Sequence, residues 1–189
     1  MQLKMIAAAA LGTMLAVSAS QAGLIVDQNQ PNGSIYMAAF NQTDLAQSFQ
    51  TQQNSMATVG AGVLLQPNIG TTDTVVIELW TTLPNGGGTM LRSGSAVGTA
   101  GEWVEVFWDE GGILLDANVT YYLHFTGNLT LGIAGETTNP YAFGQVYANA
   151  GFQGFEDFDY AFRTWVVPAP GAVALLGLAG LTCGRRRRE

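Results

Sequence analysis

The chain has 189 residues, 48% of them hydrophobic and 11% charged, with a formal net charge of −7 and one cysteine. That length suits one domain with a substantial core, and the acidic balance argues against nucleic acid and anionic membrane surfaces as partners. The charge is also unevenly placed. Lys4, Arg185, Arg186, Arg187 and Arg188 stand at the two ends, which leaves Arg92 and Arg163 against thirteen acids and a net charge of about −11 for the body of the chain. Divalent cations, neutral glycans and other matrix components remain as compatible partners. Cys183 lies near the C-terminus, so the body has neither a disulfide nor a thiol nucleophile and its stability must come from packing.

In chain order, Lys4 opens a charged start, positions 5–17 form an apolar stretch of signal-peptide length, and Ser20, Gln21 and Ala22 place small residues where a signal peptidase needs them. The expected cleavage follows Ala22. Residues 1–22 are therefore read as a signal peptide, 23–166 as one domain and 167–189 as a C-terminal sorting signal.

The body reads as strands. In 75–80, Val75, Ile77 and Leu79 share one face and Glu78 takes the other; in 103–108, Val104, Val106 and Trp108 oppose Glu105. In 119–126, Val119, Tyr121, Leu123 and Phe125 alternate with Thr120, Tyr122, His124 and Thr126. Further strands are expected at 35–40, 46–50, 57–66, 129–134, 141–147 and 158–165. Turn-forming clusters at 84–88, 109–112 and 126–128 separate them. Short strands without interleaved helices predict an all-β, antiparallel β-sandwich of jelly-roll type.

The order of these pieces adds a resemblance. Ala46-Gln47-Ser48-Phe49, the strand ending in Trp80, Gly101-Glu102-Trp103, the run from Leu115 to Leu123 with Tyr121-Tyr122, and Ala161-Phe162-Arg163-Thr164 are similar to the choice-of-anchor type of bacterial surface domain. The likeness spans about Leu45 to Trp165 and implies a jelly-roll-like fold at the cell surface.

Chemistry-bearing residues are sparse. His124 is the only histidine, and neither a nucleophile elbow nor a second histidine accompanies it. Glu102, Glu105, Asp109 and Glu110 qualify for glycosidase work only as carboxylates. The densest acidic group is Glu156, Asp157 and Asp159, candidate ligands for a calcium ion, which takes several oxygens; the competing expectation sets Asp159 beside Arg163 and leaves the other two solvated. Trp80, Trp103, Phe107, Tyr122 and Tyr147 are candidate sugar-stacking rings if they face outward. Core placement is the default expectation for aromatics of a sandwich.

The tail has three parts: Val-Pro-Ala-Pro-Gly with Pro168, Ala169, Pro170 and Gly171, an apolar run over 172–183, and Arg185, Arg186, Arg187 and Arg188. The apolar run is about half the ~20 residues of an ordinary spanning helix, and its basic end sets a cytoplasmic orientation. This layout resembles the PEP-CTERM sorting signal, with Ala169 where that family carries Glu. The resemblance implies transient inner-membrane insertion through an apolar sorting helix, recognition by an exosortase-type transpeptidase, and removal of the tail near the motif.

Taken together, these features predict a protein exported across the inner membrane and sorted to the cell surface or extracellular matrix, with a structural or adhesive, non-catalytic role beside exopolysaccharide. A carbohydrate-binding module, with or without calcium, is the alternative, and an exported glycan-active hydrolase the second. No other cofactor and no nucleic-acid partner are expected.

Overall fold

The computed structural model describes residues 23–126 and 130–169. Ala22, Pro170, Gly171 and the four arginines 185–188 lie outside the described residues, as do the leader and the apolar run. Among the described residues no helix is long and apolar enough to cross a membrane.

The described chain is all-β and antiparallel. Its strands are β1 (Ile25–Gln30), β2 (Ile35–Ala39), β3 (Leu45–Gln50), β4 (Met56–Leu64), β5 (Thr72–Trp80), β6 (Met90–Thr99), β7 (Trp103–Phe107), β8 (Ile113–Leu114), β9 (Thr120–Thr126), β10 (Gly132–Glu136), β11 (Val146–Ala148), β12 (Gln153–Phe155), β13 (Asp159–Tyr160) and β14 (Phe162–Pro168), with one 3-10 turn at Pro84–Gly86. One sheet runs β1-β14-β4-β7 with β8 beside β4, a second runs β12-β11-β3-β9-β5-β6, and a short third, β13-β10-β2, is linked to the first by the Leu65–Ile133 bridge and to the second by the Tyr160 N–H, which donates to Gln47 Oε1.

The two large sheets bury one face of each against the other, as a sandwich does. The expected facings hold: Val75, Ile77 and Leu79 from β5, Val104 and Val106 from β7 with Trp108 just beyond it, and Tyr121, Leu123 and Phe125 from β9 are all buried. Phe49 meets Phe162 across the core with ring centroids 6.5 Å apart, and the Trp108 indole reaches over to donate to the Ile77 carbonyl at 3.4 Å.

Four strands, β1, β6, β8 and β12, carry no apolar alternation. On β6 the inward positions Gly94, Ala96 and Gly98 are small, because Val106, Leu65 and Val104 of neighbouring segments already fill that space. On β1 the inward residues are Gln28 and Gln30, polar yet buried because each is hydrogen-bonded: Gln28 Oε1 accepts from the Tyr141 hydroxyl at 2.8 Å, and Gln30 Nε2 donates to the Tyr160 carbonyl at 3.2 Å.

Two expectations need correction. Val119 lies outside β9 and is 43% exposed, because Asn118 adopts a positive φ of 61° and turns the chain just before the strand. Of 141–147 only the end is strand; the preceding residues form a loop, since Tyr141 plunges into the core and packs edge-on against Phe162 at 5.0 Å.

The last strand also extends beyond the expected end of the domain at 166. Val166 is buried, and Val166, Val167 and Pro168 pair with Thr58, Ala57 and Met56, so the first proline of the tail motif is part of the sheet. On its other side β14 pairs with β1, Ile25 opposite Val166, which brings the two ends of the folded unit together.

Candidate functional site

The outer face of the six-stranded sheet carries a row of rings. Its rungs follow from the register: Tyr147, Ala46, His124 and Glu78 lie opposite one another on β11, β3, β9 and β5, and Ser48, Tyr122 and Trp80 form the next rung. Tyr122 and Tyr147 touch edge to face at 5.7 Å. Burial, and then the adjacent Tyr122 hydroxyl, push the Tyr147 phenol above its ordinary pKa.

Beside these two tyrosines runs an open groove of about 460 Å³. Its floor is Ser48 and Gln50 of β3 with Thr120 and Tyr122 of β9, and its wall is the segment around Asn139, Phe143 and Gln145, with Glu156 on the rim. Gln50 Nε2 donates to Thr120 Oγ1 at 3.0 Å, which fixes that amide along the floor.

The wall is held tightly. The Gln145 N–H donates to Ser48 Oγ at 2.9 Å and the Ser48 N–H to the Gln145 carbonyl at 3.0 Å. Gly144 is required here, because a Cβ would overlap the Ser48 carbonyl oxygen. Tyr141 anchors the same loop from beneath, and burial pushes its phenol up to about 12. Its backbone N–H donates to Asp159 Oδ2 at 3.0 Å.

Asp159 thus has a different place from the one expected. It is 0% exposed, with Oδ1 accepting from Gln47 Nε2 at 2.9 Å. Burial raises its carboxyl to about 6, although the Gln47 amide and the Tyr141 N–H both act to lower it. Glu156 and Asp157 are exposed on the turn before it, so the three candidate cation ligands do not converge; among the described residues no group of three His, Cys, Asp or Glu side chains does. Nor does Asp159 meet Arg163, whose partner is Glu105. The acidic segment instead serves the groove: Asp159 holds the wall, the Asp157 carbonyl accepts from the Asn139 N–H at 2.8 Å, and Glu156 reaches the rim.

His124 sits in a side-chain cluster at the far end of the ring row. Its Nδ1 lies 2.9 Å from Glu78 Oε2, which also accepts from Trp80 Nε1 at 2.9 Å. Phe152, from the turn between β11 and β12, covers the imidazole at 5.3 Å between centroids. That turn is fastened by Gly151, whose N–H donates to Asp44 Oδ2 at 2.6 Å.

The opposite face of the molecule holds a second array. Arg163 lies over the Trp103 ring at 4.2 Å and near Trp165 at 5.1 Å. Glu105 accepts from Arg163 and, at 2.5 Å, from Trp165 Nε1. These side chains cross the intervening β4 because Gly60 and Gly62 stand between the flanking strands; a Cβ on Gly62 would collide with the Glu105 carboxylate. Phe107, 44% exposed, completes this face beside Trp165. All five rings named as sugar-stacking candidates are therefore at least partly exposed, against the default of core placement. The groove's amides, Gln50, Asn139 and Gln145, carry no sequence signal, because what joins them is a loop whose path depends on tertiary anchors.

Comparison with protein-family models and with curated proteins yields no match.

Proposed function

We propose that this is an exported protein, processed at both ends and sorted to the cell surface or extracellular matrix, where its jelly-roll-like domain acts as a structural or adhesive component, by binding rather than catalysis. The leader ending at Ala22 is read as the substrate of signal peptidase. The tail from the Pro168 motif to Arg185, Arg186, Arg187 and Arg188 is read as a PEP-CTERM-like sorting helix, inserted transiently in the inner membrane and removed by an exosortase-type enzyme.

One observation carries most weight: β1 and β14 close the fold side by side, Ile25 opposite Val166, and among the described residues every buried one lies between Gln28 and Val166. A cut after Ala22 and one after Pro168 would therefore both spare these buried residues. A binding role is supported by the pre-shaped groove, whose wall is fixed by Gly144, Tyr141 and Asp159.

Cell fractionation tests this reading. The domain is expected in the surface or matrix fraction of cells that carry a sorting enzyme; its retention in the cytoplasm would overturn the proposal.

A further inference from the structure

We infer that the groove beside Tyr122 and Tyr147 is a binding site for a neutral polysaccharide built of pyranose units. The inference rests on the surface-binding reading above and names its ligand.

The chemistry of the groove fits such a chain in three ways. Tyr122, Tyr147 and Phe143 offer flat ring surfaces suited to the apolar C–H faces of sugar rings, and Phe143 is 48% exposed although it is a large apolar side chain on a loop. Beside them the amides of Gln50, Asn139 and Gln145 supply paired donors and acceptors, which match vicinal hydroxyls. Hydroxyls and amides make up most of the lining, with the three rings set among them, so the groove can orient a polar, uncharged chain by hydrogen bonds.

Charge selects the class of polymer. The body of the chain carries about −11, and the acidic side chain at the groove is Glu156 on its rim. Neither arginine serves the groove: Arg163 is paired with Glu105, and Arg92 donates to the Gly111 carbonyl at 3.0 Å. A polyuronate or sulfated chain would meet repulsion with no compensating cation among the described residues that line the groove, whereas an uncharged chain meets none.

Preorganisation favours a real site over a chance depression. The wall is fixed by Gly144 against Ser48, by Tyr141 in the core and by Asp159 below, so little ordering is left to oppose binding. Because the groove is open, it suits the interior of a long chain. Asp159 is a positioning residue in this scheme and touches no sugar.

The test uses the protein as purified from the producing cells and affinity electrophoresis in gels containing dextran, mixed-linkage β-glucan, galactomannan or alginate. Retardation is expected by at least one neutral polymer and not by alginate. Phe143→Ala should weaken it at least about fivefold without moving the melting transition, Tyr147→Ala should weaken it as much while still unfolding cooperatively, and Trp103→Ala on the opposite face should leave it unchanged. Binding of alginate alone, of no polymer, or of a neutral polymer with equal strength in the Phe143→Ala variant would overturn the inference. Loss of glycan binding with surface localisation intact would reject this ligand alone, and cytoplasmic retention would reject the surface reading beneath it.

Discussion

Gln47 Nε2 donates to Asp159 Oδ1 at 2.9 Å from a strand 112 residues earlier in the chain. The same Gln47 accepts the Tyr160 N–H through Oε1 at 2.9 Å, so one buried amide holds β13 on the six-stranded sheet. Through Tyr141, Asp159 passes that restraint to the wall of the groove. A buried carboxylate without a cationic partner is costly when ionised, and its titration should therefore be visible in stability.

With its folded pKa raised to about 6 from an unfolded value of 3.8, Asp159 binds more protons in the folded state between those values. Stability from this group is thus fully present below about pH 4 and is lost as pH rises through about 6, by on the order of 3 kcal/mol. Urea unfolding at a series of pH values should show that decline. In Asp159→Asn the decline should flatten, while overall stability drops by about 1–3 kcal/mol because an amide N–H₂ would face a donor. An unchanged pH slope in the variant would show that Asp159 is not the titrating group.

Strand facing on β5 is tested by two neighbours. Ile77→Asp should abolish cooperative folding, since an unpaired carboxylate in the core costs several kcal/mol against a typical total of about 5–15. Glu78→Gln should cost no more than about 1 kcal/mol, because the amide oxygen can take the place of Oε2, the one oxygen that meets both Trp80 Nε1 and His124 Nδ1. Equal losses of melting temperature would refute this facing.

Gly144→Ala should displace the groove wall, because the added methyl meets the Ser48 backbone rather than a flexible side chain. The expected cost is about 1–3 kcal/mol together with weakened polysaccharide retardation. A melting curve and retardation both like the parent's would show that the loop is not held as described.

What the sequence reveals and what it hides divides along physical lines. β5, β7 and β9 are readable because each buries one large apolar face, so Ile77, Val106 and Leu123 announce themselves by period two. β6 is silent because its inner positions Gly94 and Gly98 accept neighbours' side chains and supply none. β1 is silent because Gln28 and Gln30 reach the interior through hydrogen bonds that only the folded chain provides. The site follows the same division. Alternation sets Tyr122 opposite the apolar face of its strand and leaves Tyr147 a candidate only if it faces outward, because whether a sandwich face is bare or inner is not a local property. Asp159 looks like a surface ligand beside Glu156 and Asp157, and its burial depends on Gln47 and Tyr141, both distant in sequence.

The strand that carries the tail motif bears on where processing stops. A chain ending at Ala169 should unfold as cooperatively as the longer one. A chain ending at Trp165 loses buried Val166 and the pairs of Val166, Val167 and Pro168 with β4. That truncation should cost at least the roughly 1.5–3 kcal/mol of one buried valine, read as a lower denaturation midpoint. Equal midpoints would place the true domain end before Val166.

Intact-mass analysis of the protein recovered from the cell surface tests export and sorting most directly. The expected mass corresponds to a chain that starts at Gly23 and ends at or shortly after Pro168, since an earlier cut would remove part of β14, with Arg185, Arg186, Arg187 and Arg188 gone. Surface material that retains the leader, or the complete tail with its four arginines, would contradict it.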